Sequence, residues 1–100
     1  MERMIALAAA LLWCAPGALA QDANGRNLAA GCAICHGTEG RPFANSPVVP
    51  LAGLPREYIA TQMRAFRDGK RPATVMHQLA KGYNDAQIDA MAAWYAAQKR

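Results

Sequence analysis

Scarcity is the first information in this chain. Its 100 residues contain two histidines, three cysteines and seven aromatic residues, so sites built from many imidazoles or thiolates are excluded at once. Acidic residues are also few, seven against 11 basic ones, for a net charge of +4. The basic residues form no dense tract, which argues against nucleic acid as the partner. There are no repeats and no low-complexity tracts, and strand-like alternation never persists, which leaves little basis for a sheet. The apolar run from Met4 to Leu12 falls well short of the ~20 residues that a membrane-spanning helix needs.

What is present begins with a leader. Glu2 and Arg3 precede that apolar run, Pro16-Gly17 breaks it, and Ala18-Leu19-Ala20 supplies small residues for a signal peptidase. Residues 1–20 are therefore expected to be a cleaved secretory signal and residues 21–100 a single domain in the periplasm, with no membrane span after cleavage. An uncleaved anchor and a lipoprotein attached at Cys14 are the alternatives, the latter disfavoured by bulky Trp13. Glu2 and Arg3 cancel, so the mature part keeps the charge of +4. A domain this small buries a modest share of its surface and often needs a staple or a cofactor.

Three main helices are expected, giving an all-α fold. The first covers about Asp22 to Cys32, with Gly25, Leu28, Ala29 and Cys32 along one stripe. Gly25 is a poor helix former, so its place in that stripe predicts a close helix crossing there, beneath Tyr95 or Trp94. From Gly37 to Leu54 the chain is rich in Gly, Pro, Asn and Ser and reads as a long irregular loop, which in so small a domain needs an object to wrap. Pro55 opens a second helix at its favoured first position, and Gly69 ends it. Its apolar face is Tyr58, Ile59, Gln62, Met63 and Phe66, and Arg56, Ala60, Arg64 and Arg67 oppose it. A loop over Lys70 to Thr74 leads to a short apolar turn, Val75 to Ala80. The last helix is capped by Asn84 with Gln87 as a capping box, buries Ile88, Met91, Ala92 and Tyr95, and has Lys99 and Arg100 at its negative end.

The sharpest signal is Cys32-Ala33-Ile34-Cys35-His36. C-x-x-C-H is the attachment sequence for c-type haem. Its spacing allows one thioether from each thiol to a haem vinyl group, and the adjacent imidazole can reach the iron from the same side. A thioredoxin-type dithiol lacks its βαβ setting here. A zinc site would need His77 as fourth ligand and would strain neighbouring Cys35 and His36 toward one tetrahedral ion. A plain disulfide explains neither His36 nor the long loop. For the second axial position, Met63 and Met91 fall on buried helix faces and read as core. Met76 follows a proline-containing loop and is a candidate, ordinary packing being its bland alternative. His77 is its rival. His/Met ligation raises the reduction potential and closes the iron to substrates, which suits electron transfer and leaves no catalytic residue to assign.

The stretch from Gly25 and Leu28 through Cys32, Cys35, His36 and Gly37 resembles the opening of class I bacterial cytochromes c. Leu51-Ala52-Gly53-Leu54-Pro55, Tyr58-Ile59 and Phe66-x-x-Gly69 are also similar to that family. Thr74 to Tyr83, followed by the capped helix, resembles the cytochrome subunit of flavocytochrome c sulfide dehydrogenase in a form with one haem motif. The resemblance implies a small class I cytochrome c fold around one covalent haem c. It implies His36 as proximal and Met76 as distal iron ligand, and a proline carbonyl, Pro50 in preference to Pro47, accepting the His36 Nδ1 proton. It also implies redox-protein partners, among them an FAD-containing subunit that oxidises sulfide and hands its electrons to this chain.

Tyr58, Phe66, Met63, Ile59 and Leu79 are candidates for the wall against the haem. Arg56, Arg64 and Arg67, followed by Lys70 and Arg71, form either a solvated helix face or a surface that steers an acidic partner. The rival functions are a free soluble cytochrome shuttle to an oxidase or reductase, an open-haem enzyme or gas sensor, and a haem-free periplasmic dithiol oxidoreductase.

Overall fold

The computed structural model of the chain describes residues 16–100, with side chains from residue 23 onward. Most of the expected leader therefore lies outside the described residues. Among them are five α-helices: α1 (Pro16–Ala29), α2 (Ala33–His36), α3 (Arg56–Arg67), α4 (Met76–Ala80) and α5 (Asp85–Ala96). A 3₁₀ turn over Ala30–Cys32 joins α1 to α2. No strand forms among the described residues, where the only β pairing is an isolated bridge between Thr38 and Arg41. The expected first helix is thus longer than its apolar stripe, beginning upstream of the expected mature end and tightening before Cys32.

Helix α5 is the hub, packing against both α1 and α3, while α4 packs against α3. Its start follows the expected pattern. The Asn84 side chain accepts from the Gln87 backbone N–H at 2.9 Å, and the Gln87 side chain accepts from the Asn84 N–H at 2.9 Å. Two of the helix's orphan donors are satisfied in this way. Ile88, Met91, Ala92 and Tyr95 are all buried and join Ala29, Ile59 and Ala60 in one core. Alanines make up nearly half of that set, so the helices can approach closely.

The closest approach is at Gly25. A Cβ placed there would stand 2.9 Å from the Ala90 carbonyl oxygen and 3.3 Å from Trp94 Cβ. The expected crossing forms, with Trp94 as the neighbour above the glycine. Tyr95 turns into the core instead and donates its hydroxyl to the Ala29 carbonyl at 2.6 Å.

Helix α3 departs from its expected faces. Pro55 caps the helix rather than occupying its first turn. Ala60, placed on the solvent side by periodicity, is buried, and Tyr58, placed on the apolar side, is exposed. The cause is the position of α5. Arg64 Nη2 lies 2.6 Å from Asp89 Oδ1 and its Nε 3.2 Å from Asp85 Oδ1, while Arg67 Nη1 lies 2.7 Å from Asp85 Oδ1. Arg67 Nε also pairs with Asp68 at 3.1 Å. These arginines therefore fasten α3 to α5 and do not form a free basic face. Arg71 bonds Gln62 and lies over the Phe66 ring at 4.8 Å. Lys99 and Arg100 fall beyond the end of α5 at Ala96.

The long segment between α2 and α3 is irregular, as expected, but its neck is closed. The Gly40 carbonyl accepts from Leu51 N–H at 2.9 Å and Ala52 N–H at 3.1 Å. Gly40 has φ +79°, and a Cβ there would stand 2.8 Å from both Ala52 N and Tyr95 Cδ1. Only glycine suits that position. Gly53 N–H then bonds the Tyr95 carbonyl at 2.9 Å, tying the loop to the C-terminal end of α5.

Candidate haem-binding site

The 3₁₀ turn and α2 carry Cys32, Cys35 and His36 on one unbroken helical segment. Cys32 ends the turn and His36 ends α2. The two cysteines differ in setting. Cys32 is half-buried against the helix core, whereas Cys35 is exposed, and the sulfurs are not joined. Burial pushes the Cys32 thiol up from its ordinary pKa, an effect the neighbouring Tyr95 hydroxyl partly offsets. Burial likewise pushes the Tyr95 phenol up. Among the described residues, no three His, Cys, Asp or Glu side chains converge.

His36 is half-buried, and its Nδ1 lies 2.7 Å from the Val49 carbonyl oxygen. The expected acceptor was a proline carbonyl, Pro50 in preference to Pro47, and the structure corrects it by one residue. The resemblance is met in kind, since a loop carbonyl does hold the imidazole. A carbonyl acceptor requires the proton on Nδ1, which leaves Nε2 with its lone pair for a metal. Residue identity gives no sign of which carbonyl this is, because every residue has one.

Met76 opens α4 and is half-buried. His77 beside it keeps its Nδ1 buried and without a hydrogen-bond partner. Of the expected wall residues, Ile59 belongs to the helix core, Met63 and Phe66 are half-buried, and Tyr58 and Leu79 are exposed. They are joined by others that sequence reasoning passed over. Ile34, Phe43, Val49 and Val75 are at least half exposed, reaching 88 % at Ile34. Phe43 and Val49 line an open cleft of about 630 Å³ beneath the loop.

These features fit a haem. Two free thiols could form thioethers and the imidazole has an Nε2 free for iron, and large apolar side chains stand uncovered on α2, the loop, α3 and α4. A mostly apolar disc covers such surface, which a folded protein of this size does not ordinarily leave in water.

Comparison with known proteins agrees. The cytochrome c family model matches residues 23–97. A thiosulfate dehydrogenase electron acceptor of Thiomonas intermedia is 43 % identical over 100 residues, covering 96 % of this chain and 44 % of that protein. The cytochrome subunit of sulfide dehydrogenase of Chlorobaculum tepidum is 39 % identical over 75 residues, covering 74 % of this chain and 66 % of that protein. Cytochrome c-554(548) of Halomonas halodenitrificans is 38 % identical over 72 residues, or 68 % of this chain and 84 % of that protein. The chain thus spans less than two thirds of the length of the first two relatives. No helix among the described residues is long and apolar enough to cross a membrane. With the family model covering most of its length, the chain belongs to the cytochrome c family, whose members carry covalently bound haem c.

Proposed function

We propose that this protein accepts electrons in the periplasm from a dehydrogenase that oxidises a reduced inorganic sulfur compound, through one haem held by Cys32 and Cys35 and ligated by His36 and Met76. The observation that carries the His36 assignment is the Val49 carbonyl 2.7 Å from its Nδ1, which orients the imidazole of the attachment segment and leaves Nε2 free; Met76 rests on the resemblance. When bound, the haem supplies a one-electron carrier. The chain's own residues do the rest. Cys32 and Cys35 would retain the group, His36 would donate to it from a tautomer fixed by the Val49 carbonyl, and the thioether of Met76 would serve as a second ligand without adding charge. The apolar side chains exclude water, which disfavours the extra charge of the oxidised iron and raises the potential.

An FAD-containing, sulfide-oxidising subunit is one partner of this class, in line with the sulfide dehydrogenase relative. A thiosulfate dehydrogenase is the second reading, favoured by the relative that aligns with 96 % of this chain. The free shuttle remains the alternative outcome. Reduction of the purified holoprotein by each dehydrogenase, with its own substrate, separates the three. Rapid reduction by one enzyme identifies the donor, and failure with both favours the shuttle. The ligand assignment is tested separately. Met76→Ala in the oxidised protein is expected to open the iron to added imidazole or azide. An unchanged spectrum and no uptake would move the ligand elsewhere, with His77→Ala then the next variant to examine.

A further inference from the structure

The acceptor of the His36 proton sits in a loop with little to rest on. Around Val49 the chain is exposed and borders the open cleft, so the protein's own apolar side chains do not by themselves fix the height of that carbonyl. Polar ties at the neck remain. Gly40 closes the loop on Leu51 and Ala52, and Gly53 bonds Tyr95. Arg41 ties the near side of this loop to the chain just after the last helix, as the Arg100 side chain ties it more loosely to Gly53 on the far side. Arg41 Nη1 donates to the Lys99 carbonyl at 2.8 Å, while Nη2 pairs with Glu39 at 2.5 Å. The Glu39 carboxylate thus holds the guanidinium flat against the chain end, and a planar fork of donors loses little freedom in making both bonds.

We infer that Arg41 is a positioning residue for the proximal ligand, acting through the loop to keep the Val49 carbonyl on His36 Nδ1. The inference rests on the assignment of His36 to the iron made above. A firmly held carbonyl acceptor makes the imidazole a stronger donor, as outer partners of metal-bound histidines do in general. A loop that lifts intermittently would expose Nδ1–H to water and weaken that push. Arg41 therefore couples the segment after α5 to the electronic character of a ligand on α2, although it makes no hydrogen bond to His36.

The test uses holoprotein labelled with ¹⁵N-histidine. Solvent exchange of the His36 Nδ1 proton is read by NMR in the reduced state, and the midpoint potential by redox titration. Arg41→Ala is expected to speed exchange about tenfold, as loss of a charge-assisted tie permits local opening, and to shift the potential. Arg41→Lys keeps one donor and is expected to fall between the two. Glu39→Gln, which loosens the guanidinium without removing it, gives a smaller change in the same direction and serves if Arg41→Ala yields no holoprotein. Arg56→Ala, whose partner is the adjacent Glu57, leaves both readouts unchanged. A lower melting temperature with unaltered exchange and potential would make Arg41 merely structural and overturn the inference. If the wild-type His36 ring shows no paramagnetic shift on oxidation, the ligand assignment fails first and takes the inference with it.

Discussion

Two regions of this small protein are finished to different degrees. Where α1, α3 and α5 cross, the protein closes on itself, with Ile88 and Ala92 wholly buried and Met91 and Tyr95 nearly so. Around the attachment segment, the loop and α4, the chain leaves Ile34, Phe43, Val49, Tyr58, Val75 and Leu79 about half exposed or more. Burying one such side chain contributes about 1.5–3 kcal/mol, so covering most of six is worth on the order of 10 kcal/mol. That equals the whole net stability of a typical domain, about 5–15 kcal/mol. The difference teaches that the helix crossing is a scaffold of protein alone, while the other half leaves apolar surface that a cofactor could complete.

The largest expected effect breaks the comparison at its root. The apoprotein, or the Cys32→Ala/Cys35→Ala double variant without haem, is expected to show weak helical circular dichroism and no sharp thermal transition. Wild-type protein matured with haem should melt cooperatively and stay red through acid-acetone extraction. A cooperatively melting apoprotein would mean that the α1/α3/α5 crossing suffices, and that the apolar surface is incidental.

Next comes the crossing itself. Gly25→Val puts a branched side chain where even a Cβ would stand 2.9 Å from the Ala90 carbonyl. Backbone cannot yield as a flexible side chain can, so a loss of about 1–3 kcal/mol is expected, read as a lower denaturation midpoint in holoprotein. The visible spectrum should not change, because the damage lies on the scaffold side. Tyr95→Phe is subtler. It keeps the ring in the core but leaves the Ala29 carbonyl without its 2.6 Å donor, at a cost of about 1–3 kcal/mol. Because Tyr95 also neighbours Cys32, a spectral change here would show that the two regions are coupled through that sulfur.

The scaffold was more legible in the sequence than the site. Capping by Asn84 and Gln87, the buried stripe of α5 and the Gly25 crossing all follow from periodicity and local chemistry, which residue types express directly. The attachment segment was legible for the same reason, since five adjacent residues carry it. Val49 was not, because the acceptor is a backbone carbonyl whose place depends on how the Gly40 neck closes. Nor was the role of Arg64 and Arg67. Helical periodicity places them opposite the apolar stripe, yet their partners Asp85 and Asp89 lie 18 to 25 residues away and come near only once α5 docks. Charge at helical spacing looks the same whether it meets water or a neighbouring helix.

That ion cluster supports the smallest prediction, a pH dependence. The Arg67 guanidinium, with Arg64 beside it, holds the Asp85 carboxyl below its ordinary range. A carboxyl whose pKa is lower in the folded state contributes stability that is present above its unfolded pKa and lost as pH falls through its folded pKa. In holoprotein, the melting temperature should therefore fall in acid more steeply for wild type than for Asp85→Asn, which has no such proton to take up. The two curves should converge below the folded pKa of Asp85, where both side chains are neutral. The two carboxylates are exposed and the two arginines partly so, so the difference at neutral pH should be modest and should shrink further as salt screens the cluster. Parallel curves over the whole acid range would show that the arginines hold α3 to α5 by packing of their stems alone. Partner exchange offers a second reading of the same cluster. Because Arg64 and Arg67 are already paired, Arg64→Glu should slow electron exchange only insofar as it loosens α3, with no special advantage at low ionic strength. Lys70→Glu, by contrast, should carry whatever salt-dependent steering this side of the molecule has. A low-salt deficit in Arg64→Glu larger than in Lys70→Glu, with melting unchanged, would mean that the arginines face the partner after all.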